Sequence, residues 1–271
     1  MKTRTLAAAA LLPVLLLVVL LAPTWVTAIC VGVMAAIGAY ELLRGTKLVK
    51  HPRLIAYSMI FAALVPVWSY FGCPNGAAVP VALVFYLLLL GEMMAAYPKL
   101  PFSHVAMCVM AGLLIPYMLS ALVRILVMEN GRYYILMPFA AAFLSDTGAY
   151  FVGIFFGKHK LAPVISPKKT VEGLFGGLGC AILGMVIYGA VLQFAFGFEV
   201  NYLFALAYGL LGSACGVFGD LSFSVVKRQT GIKDYGNLIP GHGGILDRFD
   251  SVIVVAPLIE ALLVLIPMAV K

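Results

Sequence analysis

Charged residues are scarce in this 271-residue chain: Asp, Glu, Lys and Arg make up 11% of it, whereas 63% of its residues are hydrophobic. Soluble domains carry about 25% charged residues. A soluble fold has no interior large enough to hide this much apolar surface, so the composition excludes a soluble globular domain. We therefore expect the chain to have lipid as its solvent.

Metal-binding cysteine motifs and internal repeats are also absent from the sequence. The five cysteines are scattered and form no Cys-x-x-Cys pair, which argues against a zinc site or a disulfide framework. No repeat is strong enough to indicate a transporter built from two matching halves. The cysteines are interpreted as small apolar packing residues.

Long apolar runs dominate what is present, and each run of about 20 residues fits one bilayer crossing. We predict nine spans, at 6–21, 24–43, 54–71, 77–96, 104–128, 134–156, 171–196, 202–226 and 249–270. The first two are separated only by Pro23, so a single broken helix is the alternative. The prediction is an all-α polytopic membrane protein with about nine transmembrane helices.

The positive charges orient these spans. With alternating loops, only Arg124, Arg132 and Lys271 fall on one side, and all other lysines and arginines fall on the side of the N-terminus. The positive-inside rule makes the rich side cytoplasmic. The net charge of +7 therefore reports topology, and no nucleic-acid partner is expected. We predict one integral-membrane domain, 1–271, with N-terminal helices in 1–130 and catalytic helices and loops in 131–271.

Acidic residues within the spans are costly unless they have a partner or a task. Asp146 and Asp220 are interpreted as functional, with a buried ion pair as the alternative. Glu172 begins the predicted seventh helix, where the helix dipole favours an anion, so a structural and a functional role stay equally open. Glu92 and Glu260 are interpreted as structural acids that pair with basic residues.

The loop 158–170 is basic and contains two prolines. Its last five residues, Ser166-Pro167-Lys168-Lys169-Thr170, are predicted to open the seventh helix. Free amides, hydroxyls and lysines at a helix N-terminus form a phosphate cradle. A topology anchor is the alternative interpretation.

Seven charged residues lie in one stretch, KRQTGIKDYGNLIPGHGGILDRFDS, at 227–251. Aspartates beside basic residues, without cysteine, suit a hard cation such as Mg²⁺ bound to phosphates. If Asp247 lies in the first turn of the last helix, Asp250 shares its face. Asp220 and Asp247 are predicted to meet at a two-metal site. His242 is either a base or, more commonly for a loop histidine, a hydrogen-bond donor.

The segment 224–250 resembles the signature of bacterial phosphatidate cytidylyltransferases, and SDTGAYFVG, FGKHKLAP, SPKKTVEG and FGDLSFS are similar to further blocks of that family in the same order. The resemblance implies transfer of CMP from CTP to phosphatidate, giving CDP-diacylglycerol and pyrophosphate. It also implies Mg²⁺, with a second metal ion, at the cytoplasmic ends of the C-terminal helices. The protein would lie in the inner (cytoplasmic) membrane, with CTP, phosphatidate and membrane lipids as partners and a homodimer left open.

The residues that we assign to this reaction fall into three groups. The catalytic candidates are Asp220, Asp247, Lys227 and Arg228. The metal candidates are Asp220 and Asp247, followed by Asp146, Asp234 and Asp250. The substrate-binding candidates are Ser166, Lys168, Lys169, Thr170, Ser224, Lys233, His242, Gly243, Gly244 and Arg248.

Two other classes are weaker. CDP-alcohol phosphotransferases resemble a DGxxAR…GxxxDxxxD pattern, and this chain has no Asp-Gly pair followed by Ala-Arg. A transporter for an anionic solute would place charges near the middle of the membrane on broken helices, whereas most charge here lies at one face.

Overall fold

Two separately packed units make up the chain. The computed structural model describes residue 13 and residues 16–72, 75–238 and 243–271. One unit comprises Met1–Val127 with Gln229–Phe249, and the other comprises Met128–Arg228 with Asp250–Lys271. We call them the N-terminal unit and the C-terminal unit. The charged loop after residue 228 therefore belongs, by its contacts, to the N-terminal unit.

Helices build the N-terminal unit, and short π-helical turns at Leu17–Leu21, Glu41–Gly45 and Met110–Leu114 interrupt them. Its helices are α1 (Thr24–Tyr40), α2 (Pro52–Tyr70), α3 (Asn75–Ala95), α4 (Phe102–Val109), α5 (Ile115–Leu119) and α6 (Ala121–Val127). Helices α1 and α2 approach closely because Gly32 faces the carbonyl of Ala63, where a side chain would not fit.

The C-terminal unit adds two small antiparallel sheets to its helices. Its elements are α7 (Gly131–Tyr134), α8 (Leu136–Phe156), β1 (Lys160–Ala162), β2 (Ser166–Thr170), α9 (Val171–Phe196), β3 (Glu199–Val200) and α10 (Tyr202–Gln229), then α11 (Leu246–Leu265) and β4 (Ala269–Val270). Strand β1 pairs with β2, and β3 pairs with β4. Helix α11 begins in the segment assigned to the N-terminal unit and continues into this one.

Helix α9 has clear start and stop signals. Thr170 is its N-cap, and the Thr170 side chain accepts a hydrogen bond from the Gly173 amide at 3.1 Å. Such a cap satisfies an amide that has no partner within the helix. At the other end Gly197 adopts a left-handed conformation, with φ of 72°, that suits glycine. The observed bounds of α9 agree with the predicted span 171–196.

Small residues let the helices of the C-terminal unit approach one another. A side chain at Gly148 of α8 would collide with Cys180 of α9, and one at Gly176 of α9 would collide with Val152 of α8. Membrane helices associate through such small-residue surfaces because lipid gives them no hydrophobic driving force. The buried hydroxyls of Ser145 and Ser213 form a 2.6 Å hydrogen bond between α8 and α10.

Seven helical stretches of the described residues are long and apolar enough to cross a membrane: Thr24–Gly45, Pro52–Tyr70, Ala78–Ala95, Phe102–Val127, Gly131–Phe156, Val171–Phe196 and Tyr202–Gln229. They correspond in order to the second to eighth predicted spans. The first, 6–21, lies mostly outside the described residues, and α11 corresponds to the ninth. The architecture is that of a helical, multi-pass membrane protein, and the count of nine stays a prediction.

Two acids outside the catalytic proposal have the structural partners that we predicted or allowed. Glu92 accepts hydrogen bonds from Arg53 Nη1 at 3.3 Å and from the Tyr57 hydroxyl at 3.1 Å, which confirms the predicted pairing with a basic residue. Glu172 lies in the first turn of α9 and accepts hydrogen bonds from the Lys158 and His159 amides. The role of Glu260 as a structural acid stays a prediction.

Candidate active site

Three aspartates of the C-terminal unit come together although they are far apart in the sequence. Asp146 lies on α8, Asp220 on α10 and Asp250 on α11. Asp146 is within electrostatic range of Asp220, and Asp250 is within range of both. We call these three residues the carboxylate cluster. Like charges this close repel one another, so the cluster favours the binding of cations.

Helix α11 comes close to α10 next to Asp220. A side chain on the neighbouring Gly219 would lie 2.8 Å from the carbonyl oxygen of Asp250. Because glycine occupies that position, the two helices meet where each carries an aspartate. Asp250 is only 8% exposed, and a buried carboxylate needs a compensating charge or hydrogen bond.

Lysines of the same unit supply the opposite charge. The Lys169 ammonium touches Oδ2 of Asp220 as an ion pair, without the alignment of a hydrogen bond. The two side chains are 23% and 26% exposed, so water screens this pair less than a surface pair. Lys227 lies within electrostatic range of Asp250. The predicted candidates Asp220, Lys169, Lys227, Asp146 and Asp250 therefore share one region of the C-terminal unit.

Ser224 belongs to the same region. It lies one turn after Asp220 on α10, and its hydroxyl is 3.4 Å from Oδ1 of Asp220. The spacing of four residues places both side chains on one face of the helix.

The segment 166–170 leads directly into the predicted seventh helix, but it does so as a strand. Ser166–Thr170 forms strand β2, in which Thr170 pairs with Lys160 and Ser166 with Ala162, and α9 begins only at Val171. Pro167 suits an edge strand because it has no amide to donate to a ladder. Of the predicted cradle, only Thr170 serves the helix N-terminus, as its cap.

Strand geometry separates the two lysines that we predicted to act together. Successive side chains of a strand point to opposite faces. Lys169 is half-buried against Asp220, whereas Lys168 is exposed. Arg228, also exposed, donates from Nε to the Ile165 carbonyl at 3.1 Å and so holds α10 to the β1–β2 loop.

In the N-terminal unit, Asp247 organises the charged loop. It lies in the first turn of α11, which begins at Leu246, three residues ahead of the predicted span 249–270. Its Oδ2 accepts hydrogen bonds from the Tyr235 amide at 2.7 Å and from the Gly244 amide at 3.0 Å. One carboxylate oxygen thus joins two distant points of the loop. The role of Asp247 as a metal ligand and its pairing with Asp220 stay predictions.

Glu41 has a comparable task, which our sequence reasoning missed. It is 4% exposed, and its two oxygens accept hydrogen bonds from the first amides of α11: Ile245 to Oε1 at 3.0 Å and Leu246 to Oε2 at 2.9 Å. A carboxylate at a helix N-terminus also interacts favourably with the dipole. The signal was available, because Glu41 is an acid within the apolar run 24–43 and such acids usually have a partner. We call Glu41 and Asp247 the amide-bound acids.

Glycines in the loop serve these acids. A side chain at Gly236 or Gly244 would collide with the Glu41 carboxylate, and one at Gly243 would lie 2.7 Å from Oδ2 of Asp247. Gly243 also has φ of 84°, which strains other residues. Gly243 and Gly244 were predicted to bind substrate, and at all three positions the close neighbour is a protein carboxylate.

Four further predicted site residues belong to the loop. Lys233, Asp234 and Arg248 are exposed. His242 lies outside the described residues, so its role stays a prediction.

The carboxylate cluster fits a magnesium ion in its chemistry. Among the residues that the structure describes, no three His, Cys, Asp or Glu side chains are arranged to hold a metal by themselves. Mg²⁺ is commonly bound by one or two carboxylates, with substrate phosphates and water as its other ligands. Asp220 already holds a cation, the Lys169 ammonium. The donor set therefore suits a metal that arrives with a phosphate ligand.

Comparison with known proteins identifies relatives over nearly the whole chain. Residues 2–266 match the model of a family described as "Cytidylyltransferase family". A protein of Staphylococcus aureus (strain COL), named phosphatidate cytidylyltransferase, is 38% identical over 273 residues, covering 97% of this chain and 99% of its own. Proteins of the same name from Bacillus subtilis (strain 168) and Staphylococcus haemolyticus (strain JCSC1435) are each 36% identical, covering 88% and 97% of this chain and 88% and 99% of their own.

Proposed function

The chain belongs to the cytidylyltransferase family, and from that membership we propose that it is a phosphatidate cytidylyltransferase. It would transfer CMP from CTP to phosphatidate and release pyrophosphate, a step of phospholipid biosynthesis. The observation that carries the proposal is the carboxylate cluster with its ion-paired Lys169, in a chain similar along its length to proteins of that name.

The proposed reaction requires a site rich in positive charge and does not require a strong base. An oxygen of the phosphatidate phosphate attacks the α-phosphorus of CTP, and the bond from that phosphorus to the β-phosphate bridging oxygen breaks. Pyrophosphate leaves with the electron pair. A phosphate monoester is already ionised near neutral pH, since its second pKa is about 6. The protein therefore needs chiefly to align and neutralise two crowded anions.

In this proposal, basic residues neutralise the two anions. Lys169 is a half-buried ammonium beside Asp220, and it would exchange part of this contact for a substrate phosphate oxygen. Lys227 and Arg228 end α10, where cations are also favoured by the helix dipole. Lys168, Lys233 and Arg248 are exposed and would contribute longer-range attraction for CTP.

Divalent-metal dependence is part of the proposal. Asp220 and Asp247 would hold Mg²⁺, with Asp146, Asp234 and Asp250 as further ligand candidates and a second metal ion as an extension. When bound, the metal supplies positive charge to the phosphates. The carboxylate cluster supports metal binding. Its carboxylates repel one another, and a bound cation would reduce that repulsion.

The proposed setting is the inner membrane of a bacterium. The N-terminus and the active site would face the cytoplasm, where CTP is found, because the positive charges concentrate on that side. Phosphatidate would reach the site from the headgroup layer. A homodimer remains part of the proposal, and no nucleic-acid partner is proposed.

Purified protein in detergent should convert labelled CTP and phosphatidate into a labelled CDP-lipid and pyrophosphate, and a chelator should stop the reaction until Mg²⁺ is restored. Replacing phosphatidate by diacylglycerol, which lacks the phosphate nucleophile, is the matched control. If no CDP-lipid forms and proteoliposomes containing the protein take up an anion, the proposal is wrong and the protein is a transporter.

A further inference from the structure

A pocket of about 670 Å³ lies in the N-terminal unit, and its polar lining is basic. Its polar lining residues are Lys47, Lys50, His51, Lys99 and His104. We call it the basic pocket. None of these residues belongs to the proposed catalytic set, and the volume is in the range of pockets that take small ligands, about 300–1,000 Å³.

Two helices begin at the basic pocket. His51 is the N-cap residue of α2, with Pro52 at its first position, and Pro101 precedes α4, whose first turn carries His104. Neither helix start has a side-chain cap or an acidic residue in its first turn. A helix N-terminus carries a partial positive charge, so both helices add to the positive potential of the lysines.

Negative charge that would offset this potential is missing from the pocket lining in the described part of the chain. The neighbouring acid on α3, Glu92, is occupied by Arg53 at 3.3 Å and by the Tyr57 hydroxyl at 3.1 Å. Three lysines around one concavity repel one another. An anion in the pocket would relieve that repulsion.

One ring nitrogen of each histidine is without a hydrogen-bond partner in the part of the chain that the structure describes. Nδ1 of His51 and Nδ1 of His104 are both shielded from solvent, and neither has a hydrogen-bond partner among the described residues. A buried polar atom without a partner costs free energy. A neutral imidazole that carries its proton on Nδ1 can donate to an anionic oxygen, and rotation of the ring by half a turn changes the side to which Nδ1 points.

We propose that the basic pocket binds a phosphate group, namely that of an anionic lipid headgroup. Ammonium groups, imidazoles and helix N-termini together match an anion with several acceptor oxygens. The pocket lies at the first turns of α2 and α4, the ends of two apolar stretches that are long enough to cross a membrane. Those ends are where lipid headgroups lie. The inference goes beyond the proposed function and does not depend on the carboxylate cluster.

Lipid binding, measured apart from turnover, tests this site. Delipidated protein in detergent is titrated with short-chain phosphatidate, and bound lipid is counted by native mass spectrometry. The double variant Lys50→Gln/Lys99→Gln should lose one bound lipid, with the affinity of that site reduced about tenfold or more, since each lysine near lipid contributes about 1 kcal/mol. The matched control, Lys158→Gln/Lys160→Gln, removes the same charge from exposed positions elsewhere and should bind as the unchanged protein does.

Inorganic phosphate distinguishes the two sources of the group. If inorganic phosphate displaces the lipid from this site, the phosphate group alone is sufficient for binding. If only the lipid binds, and the double variant loses that binding, the acyl chains are also required. Both outcomes support a phosphate site. Lys47→Gln, at an exposed loop position, gives a second variant should the double variant unfold. Equal lipid counts and affinities in the pocket variants and the control would overturn the proposal.

Discussion

The carboxylate cluster of the C-terminal unit and the amide-bound acids of the N-terminal unit differ in the groups that face them. In the C-terminal unit, the carboxylate cluster faces lysines: Lys169 touches Asp220, and Lys227 lies in range of Asp250. In the N-terminal unit, the amide-bound acids Glu41 and Asp247 accept hydrogen bonds from backbone amides of the charged loop and of α11. Both solutions compensate a carboxylate removed from water.

The difference separates residues that can exchange partners from residues that cannot. An ion pair between side chains can give way to a metal or a phosphate without moving the backbone. A carboxylate held by backbone amides is part of the loop geometry, and releasing it would open the loop. We therefore expect the carboxylate cluster to take part in the reaction and Glu41 to stabilise the fold. Asp247 tests whether one residue can have both roles.

The largest effect is expected for Asp220→Asn, which removes the charge that Lys169 contacts. Turnover of CTP and phosphatidate should fall by at least about 100-fold, the size of loss seen when electrostatic stabilisation of a transition state is removed. The unfolding temperature should change little, because the Asn side chain fits the same space. Near-normal turnover in this variant would contradict the assignment of the cluster to catalysis.

Asp247→Asn separates the structural role of this residue from its proposed role as a metal ligand. Both backbone amides bond to a single oxygen, Oδ2, and an Asn carbonyl oxygen can accept both, so the fold should persist. If Asp247 also holds metal, turnover should fall by about 10–100-fold, a loss typical of an impaired metal site. Thermal unfolding and a turnover assay on the same sample give the answer, and full activity would leave Asp247 as an amide-bound acid alone.

Glu41→Gln should have the smallest effect on turnover and a clear effect on stability. The amides of Ile245 and Leu246 bond to different oxygens of Glu41, and Gln would turn an N–H donor toward one of them. The expected loss is roughly 1–3 kcal/mol of unfolding free energy, measured as a lower unfolding temperature in detergent.

Glu92→Gln is the matched control for Glu41→Gln. Arg53 and Tyr57 donate to the same oxygen of Glu92, Oε1, so an amide side chain keeps both hydrogen bonds and loses only the charge. A larger destabilisation at Glu92 than at Glu41 would contradict the role assigned to the amide-bound acids.

Much of the helical framework was predictable from local patterns. The span 171–196 coincides with α9, and 202–226 lies within α10, because long apolar runs and terminal signals such as Thr170 and Gly197 are encoded locally. The hairpin at 160–170 was not predicted, because local patterns do not encode it. Its pairing of Lys160 with Thr170 depends on a contact across the loop, which a helix-start pattern does not reveal.

The candidate site was predictable in its residue types and less so in its contacts. Asp146 and Asp220 were singled out as charges in an apolar chain, and Asp250 as a further metal candidate in the charged loop. The three do lie together. Glu41 was missed because its partners are amides about 200 residues away, and backbone donors leave no mark in a sequence.

By itself, the sequence determined a helical membrane protein with its charge concentrated in a few loops, since hydrophobicity and charge are properties of single residues and short windows. The tertiary structure decided which cation each carboxylate meets. Lys169 reaches Asp220 because β2 turns it away from the exposed face of Lys168, and Glu41 reaches α11 because Gly236 and Gly244 leave room for its carboxylate. Such pairings depend on distances between chain-distant atoms, and only the folded backbone sets those distances.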